Sequence, residues 1–234
     1  MVFGFSTKIG VNSLPPFYFN LSLSVGDKKE NVLENRKQFF AALGLSDDKA
    51  AFQKQVHGDK VSVVEQPGNT GESDAMITKL PGIALCISTA DCTPVFIYEQ
   101  KTKIIAGIHS GWRGTQKRIT EKTLKKLKTD FNCNPENMFA FIGPAISQVN
   151  YQVGKEVADC FDNKYLIKDN GKYLLDTSSA NHDMLIEQGI PPARIQRSSI
   201  CSFEYKEVLH SYRRDGKNSG RSLGIIALKT RKYE

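Results

Sequence analysis

Between residues 82 and 110 the chain carries three apolar runs in close succession: "GIALCIST" (82–89), "PVFIYEQ" (94–100) and "KIIAGIHS" (103–110). Each is short and rich in β-branched residues, so each reads as a strand. Two of them are apolar at nearly every position, the pattern of a strand buried on both faces. The polar stretch "EQKTK" between the last two reads as a hairpin connection. The rest of the chain has to fold around these buried strands.

The remaining segments alternate helix and strand. "ENVLENRKQFFAALGL" (30–45) predicts a helix, with Val32, Leu33, Arg36, Phe40 and Leu43 near one face and Gly44 suited to its C-terminal end. "KVSVVEQ" (60–66) alternates like a strand. A basic helix is expected over 115–128, a strand at "MFAFIGPAI" (138–146) and a helix at "QVGKEVADCF" (152–161). A strand at "KYLLD" (172–176), a helix at "SANHDMLIEQGI" (179–190) and a last strand at "RSLGIIALK" (221–229) complete the pass. Helices alternate with strands but hairpins are present too, so the class is α+β, or mixed α/β, rather than a pure parallel sheet. There is no Ser/Gly linker, no composition shift and no repeat, and residues 1–234 read as one domain.

Composition excludes several classes. With 40% hydrophobic and 24% charged residues in 234, the chain is of ordinary globular type. No apolar run approaches the roughly 18 to 20 residues that span a bilayer, and the first residues lack the parts of a signal peptide. A cytoplasmic protein without membrane contact is therefore expected. Five cysteines (86, 92, 133, 160 and 201) with no CxxC pair argue against a disulfide framework and against a closed zinc knuckle. The net charge of +7 is concentrated in "QKRITEKTLKKLK" (116–128) and "KTRKYE" (229–234). Ile119, Leu124 and Leu127 share one face of the first run, leaving Lys117, Lys122, Lys125, Lys126 and Lys128 toward water. That is a solvated helix face, and no nucleic-acid partner is expected because no recognition motif accompanies it.

Cys92 sits just past one apolar run and His109 at the end of another, so two strand ends of one sheet can bring thiol and imidazole together. His57, in "QVHG", also precedes a strand, with Gly58 free to turn sharply beside it. His57, Cys92 and His109 would make a His2Cys set that leaves the fourth tetrahedral position open, as a catalytic zinc site requires. Zinc there would bring the pKa of a bound water toward neutrality. "SGWRG" (110–114) has glycines before a helix N-terminus, a turn that aims backbone N–H groups and Arg113 at an anion. On spacing alone three readings stand: a thiol–imidazole dyad, a metal site, or ordinary turn and packing residues.

At these residues the sequence resembles the YfiH-like family, described both as polyphenol oxidoreductases (laccases) and as purine nucleoside phosphorylases. The resemblance is carried by "QVHG" (55–58), "SDAMIT" (73–78), "TADCTPV" (89–95), "HSGWRGT" (109–115), "IGPAIS" (142–147), "NYQVGKEV" (150–157) and "SYRRDGKNSGR" (211–221). It implies zinc held by His57, Cys92 and His109. It implies a layered α/β/β/α fold with mixed sheets, similar to the catalytic domain of the cytotoxic necrotising factor toxins. It also implies phosphorolysis of adenosine, inosine and methylthioadenosine, with purine nucleosides and phosphate as partners, and deamination of adenosine. Those toxins use a Cys–His pair, so a metal-free thiol hydrolase or deamidase is the alternative. A copper-dependent polyphenol oxidase ranks below both, since four histidines (57, 109, 182 and 210) are too few for several copper centres.

Given these reactions, Asp74 is the candidate proton shuttle, with Asp91 second. Arg113, Arg213 and Arg214 are candidates to hold phosphate, since guanidinium forks match its oxygens. Asp215 would bind ribose hydroxyls, and Trp112 either stacks on the base or packs. His182 and His210 match no ligand motif. In the N-terminal segment, Lys8 stands where the family carries arginine, which keeps the charge but not the bidentate fork.

Overall fold

The computed structural model describes residues 1–11 and 13–229. Numbered along the chain, one five-stranded sheet has the order Val2–Phe5 (β1), Ser222–Ala227 (β14), Ala84–Thr89 (β6), Ala50–Lys54 (β2) and Gly68–Glu72 (β4). A six-stranded sheet has the order Ile195–Arg197 (β13), Met138–Ile142 (β9), Thr93–Glu99 (β7), Ile104–Ser110 (β8), Ala75–Thr78 (β5) and Val61–Val63 (β3). Parallel and antiparallel pairs occur in both. A small third sheet joins Gln152–Val153 (β10), Lys172–Leu175 (β12) and Leu166–Asp169 (β11).

The two large sheets stack face to face. Leu85 and Ile87 of β6, Ala51 of β2 and Ile226 of β14 pack against Met76, Phe96 and Ile105 of the other sheet. The neighbouring positions on the same strands point the other way. Val95, Ile97, Ala106 and Ile108 lie against Ile119, Leu124 and Leu127 of the helix Ile119–Phe131 (α3) and Leu185 of Thr177–Glu187 (α5). Ala84, Cys86, Leu223 and Ile225 lie against Phe40 of Lys29–Ala42 (α1). The result is α/β/β/α layering. Continuous apolar runs follow directly, because side chains alternate between faces and both faces are covered. Each such fully buried aliphatic side chain contributes roughly 1.5–3 kcal/mol.

The β7–β8 hairpin forms as expected, with Thr93 opposite Ser110. Three expectations need correction. The helix over 115–128 is broken: Trp112–Gln116 (α2) ends at Lys117, Arg118 is left-handed (φ 58°), and α3 starts afresh. The helix over 152–161 shrinks to Lys155–Ala158 (α4), because Gln152 and Val153 pair with β12 instead. The strand at 138–146 stops at Ile142. The last of the six α-helices among the described residues is Tyr212–Asp215 (α6). Lysines of the basic run are matched by Asp59, Glu121 and Asp130; residues 230–234 of the second basic stretch lie outside the described residues. Among those described, no helix is long and apolar enough to cross a membrane.

Candidate active site

The site lies where the ends of the two sheets meet. Gln55, just past β2, exchanges two hydrogen bonds with the backbone of Ser88 in β6 (2.8 and 2.9 Å), extending the β2–β6 pairing beyond its backbone ladder. The chain then turns through His57, which is left-handed (φ 57°). The turn is pinned by Asp74, immediately before β5. Its carboxylate accepts the N–H groups of Val56 (3.1 Å), His57 (3.0 Å) and Gly58 (2.7 Å). The same carboxylate lies 2.8 Å from Nδ1 of His109, and the Asp74 carbonyl accepts the His109 N–H (2.7 Å). One fully buried side chain therefore sets the backbone of one histidine and the ring of the other.

His109 continues the inward-facing row of Ile105 and Gly107 on β8, so its ring emerges at the rim between the sheets. Running the hairpin register one step past the Thr93–Ser110 pair sets Cys92 opposite Gly111. Asp91, left-handed at φ 94°, fixes the approach to Cys92. Its carboxylate accepts the Ser202 hydroxyl and the Arg213 N–H, both at 2.7 Å. Gly111 has no side chain for a reason: a Cβ there would stand 2.9 Å from Cys92 Sγ and 3.0 Å from a His57 ring carbon.

The ligating atoms of His57, Cys92 and His109 lie within 4.8 Å of one another. The two rings are nearly perpendicular (77°), with centroids 4.9 Å apart. Burial opposes ionisation of Cys92, but the charge of His109 and hydrogen bonds from both histidines outweigh it and bring the thiol down to about 6. Burial likewise opposes protonation of His109, yet Cys92 and Asp74 raise it to about 9. Asp74 stays below the usual carboxylate range despite its burial, because His109 and the backbone N–H groups favour its charge. A thiolate and two imidazoles, one with Nδ1 taken by a carboxylate so that Nε2 remains, form a donor set that fits zinc.

Beside the cluster opens a cavity of about 840 Å³ over the part of the five-stranded sheet that α1 leaves bare. His57, Cys92 and His109 line one end, and Arg36, Phe52, Lys54, Tyr212 and Arg221 are among the residues that line the rest. Among the described residues, no aspartate or glutamate borders it.

A family model described as multi-copper polyphenol oxidoreductase laccase matches residues 2–229. The chain belongs to this laccase family. Among its relatives, purine nucleoside phosphorylase YfiH of Escherichia coli is 36% identical over 231 residues, covering 95% of this chain and 92% of that one. A purine nucleoside phosphorylase of Deinococcus radiodurans is 34% identical over 234 residues, covering 97% and 89%. The crystal structure of hypothetical protein YfiH from Bacillus licheniformis superposes with a TM-score of 0.93 at 30% identity, covering 97% of this chain and 92% of that one. The YfiH-like resemblance and the layered fold expected from it are thus both found.

Within this laccase-family chain, the other residues singled out by sequence occupy quite different places. Arg214 spends all five N–H groups, on the carbonyls of Ser202, Phe203 and Leu209 and on both oxygens of Asp215. Arg214 and Asp215 therefore tie a loop together, and neither borders the cavity. Arg213 reaches the Gln152 carbonyl (2.8 Å) and stacks on Tyr151. Arg113 stacks on Trp112, and neither of these two lines the cavity. Lys8 lies over the Tyr18 ring. His210 is buried with Nε2 facing the Phe19 carbonyl (3.4 Å), and His182 is beside Asp183; neither joins the cluster. Sequence reasoning missed Arg36, Phe52, Tyr212 and Arg221 as site residues. Arg36 had a signal, being a charge on the apolar face of a helix, and Arg221 closes the "SYRRDGKNSGR" motif.

Proposed function

We propose that the chain is a zinc-dependent purine nucleoside enzyme. It cleaves adenosine, inosine and methylthioadenosine with phosphate and deaminates adenosine. The observation that carries this reading is the His2Cys cluster opening onto a cavity that offers aromatic rings, free guanidinium groups and no carboxylate. The names of the relatives point the same way. Zinc is favoured over copper because the described residues hold one cluster of three ligating side chains rather than several.

His57, Cys92 and His109 would hold the metal, which supplies Lewis-acid polarisation of an oxygen reactant. Asp74 acts through His109, fixing its tautomer and ring; with every acceptor direction occupied and no exposure, it is a positioning residue rather than a proton shuttle. Phe52 and Tyr212 offer faces to a purine. In phosphorolysis a phosphate oxygen bonds to C1′ of the ribose while the C1′–N9 bond breaks. The electron pair leaves with the base, which takes up a proton, and ribose 1-phosphate remains. In deamination water adds at C6 and ammonia departs.

A second reading rests on its own observation. Cys92, with its lowered pKa, His109 and Asp74 also form a thiol–imidazole–carboxylate series, the arrangement of a thiol hydrolase. Metal content by mass spectrometry, with phosphorolysis and deamination assays on wild type and Cys92→Ser, separates the two. One zinc per chain, lost together with both activities in the variant, is expected. A metal-free wild type whose Cys92 is alkylated by iodoacetamide would replace this reading with the thiol hydrolase.

A further inference from the structure

Arg36 and Arg221 come from opposite ends of the chain and line the same cavity. Both are partly buried, and burial lowers the pKa of each guanidinium. A desolvated guanidinium ordinarily has a carboxylate beside it. Here, among the described residues, the arginine ion pairs are those of Arg118 and Arg214. The opposing influences are Cys86 and then Asp47 on Arg36, and Cys92 and then Asp91 on Arg221, and neither aspartate is within ion-pair distance. Asp91 is also already committed to Ser202 and Arg213.

The two side chains are held but not saturated. Nε of Arg36 donates to the Leu21 carbonyl (2.8 Å) while its guanidinium lies 3.9 Å above the Phe52 ring, which leaves both terminal nitrogens free. Nη1 of Arg221 donates to the carbonyls of Ser219 and Gly220, leaving Nε and Nη2, an edge that matches two oxygens of one anion. A single segment braces both. The Asn20 side chain accepts the Arg221 N–H (3.0 Å), the Leu21 N–H donates to the Arg221 carbonyl (3.2 Å), and the Leu21 carbonyl takes Arg36. The neighbouring Asn35 side chain donates to the Asn20 carbonyl (3.0 Å). Both positively charged forks are thus preorganised around one space that, among the described residues, no carboxylate lines.

We propose that Arg36 and Arg221 form a clamp for a tetrahedral oxyanion, inorganic phosphate, beside the His57–Cys92–His109 cluster. The clamp, and not Arg113, Arg213 or Arg214, presents the attacking phosphate. Its use in turnover rests on the nucleoside reading above, whereas its affinity for phosphate does not.

Isothermal titration of the zinc-loaded protein with inorganic phosphate tests the clamp directly. Wild type is expected to bind, with Arg36→Gln and Arg221→Gln each weakening phosphate at least tenfold and Arg197→Gln, far from the cavity, changing it less than twofold. In the phosphorolysis assay the KM for phosphate rises at least tenfold in the two clamp variants, and by a larger factor than the KM for nucleoside, because Arg36 and Arg221 also lie over the Phe52 and Tyr212 rings. Should Arg36→Gln fail to fold, Arg36→Lys retains a donor for Leu21 and still removes the free fork, so it too must weaken phosphate. Unchanged phosphate affinity in both clamp variants overturns the clamp, even if nucleosides are turned over. Clamp-dependent phosphate binding without any nucleoside turnover leaves the clamp standing and removes the nucleoside reading.

Discussion

The two ends of the cavity are built in opposite ways. At the metal end polar groups are spent: Asp74 takes three backbone N–H groups and the ring of His109, and Asp91 takes a hydroxyl and an N–H. At the other end Arg36 and Arg221 use part of their donors to hold position and keep the rest. A saturated network fixes geometry, because each group that moves loses a hydrogen bond it already has. An unsaturated one binds, because its leftover donors recover a partner only when a ligand arrives.

This contrast can be broken from the metal end first. Asp74→Ala leaves His109 and three backbone N–H groups without their buried acceptor, so unfolding in denaturant should show a loss of about 3–5 kcal/mol together with loss of metal. A loss below 1 kcal/mol would mean that the corner holds its shape without the carboxylate.

Acid attacks the other end. His210 packs behind the segment that carries Arg221, and burial lowers its pKa from 6.5 to about 4. Above pH 6.5 the ring is neutral in both folded and unfolded chains, and pH has no effect through this group. Between pH 6.5 and 4 only the unfolded chain takes up the proton, so stability falls as pH falls. The full loss approaches about 3 kcal/mol by pH 4. His210→Gln should flatten that part of the stability–pH curve, and a wild-type curve with the same slope as the variant would refute the assignment.

The smallest effect belongs to the ion pairs of α3, outside both ends. Lys125→Ala removes an exposed i,i+4 partner of Glu121 and should change stability by less than about 0.5 kcal/mol. A larger loss by thermal unfolding would mean that the basic face does more than carry charge to water.

Much of this molecule was legible before its structure. The runs at 82–89, 94–100 and 103–110 became β6, β7 and β8, since apolar residues at consecutive positions leave a strand nowhere to go but between two layers. Ile119, Leu124 and Leu127 fell on the buried face that their spacing marked. His57, Cys92 and His109 were picked out as one set, and their ligating atoms do converge. Gln152 and Val153 misled because helical spacing there lost to pairing with β12, a partner some twenty residues on that periodicity cannot see. Arg214 and Asp215 misled because residue type says what a group could bind, not whether its hydrogen bonds are already taken.

Local spacing and the chemistry of single residues were enough for the α+β class, the buried hairpin and the candidacy of His57, Cys92 and His109 as one set. The layered architecture was expected only through the family resemblance. Tertiary structure alone decided that Asp74 is locked beneath His109, that the free arginines are Arg36 and Arg221, and that a cavity opens where α1 leaves the sheet bare. Those outcomes turn on which groups have spent their hydrogen bonds, and that is settled only when segments from far apart in the chain are packed together.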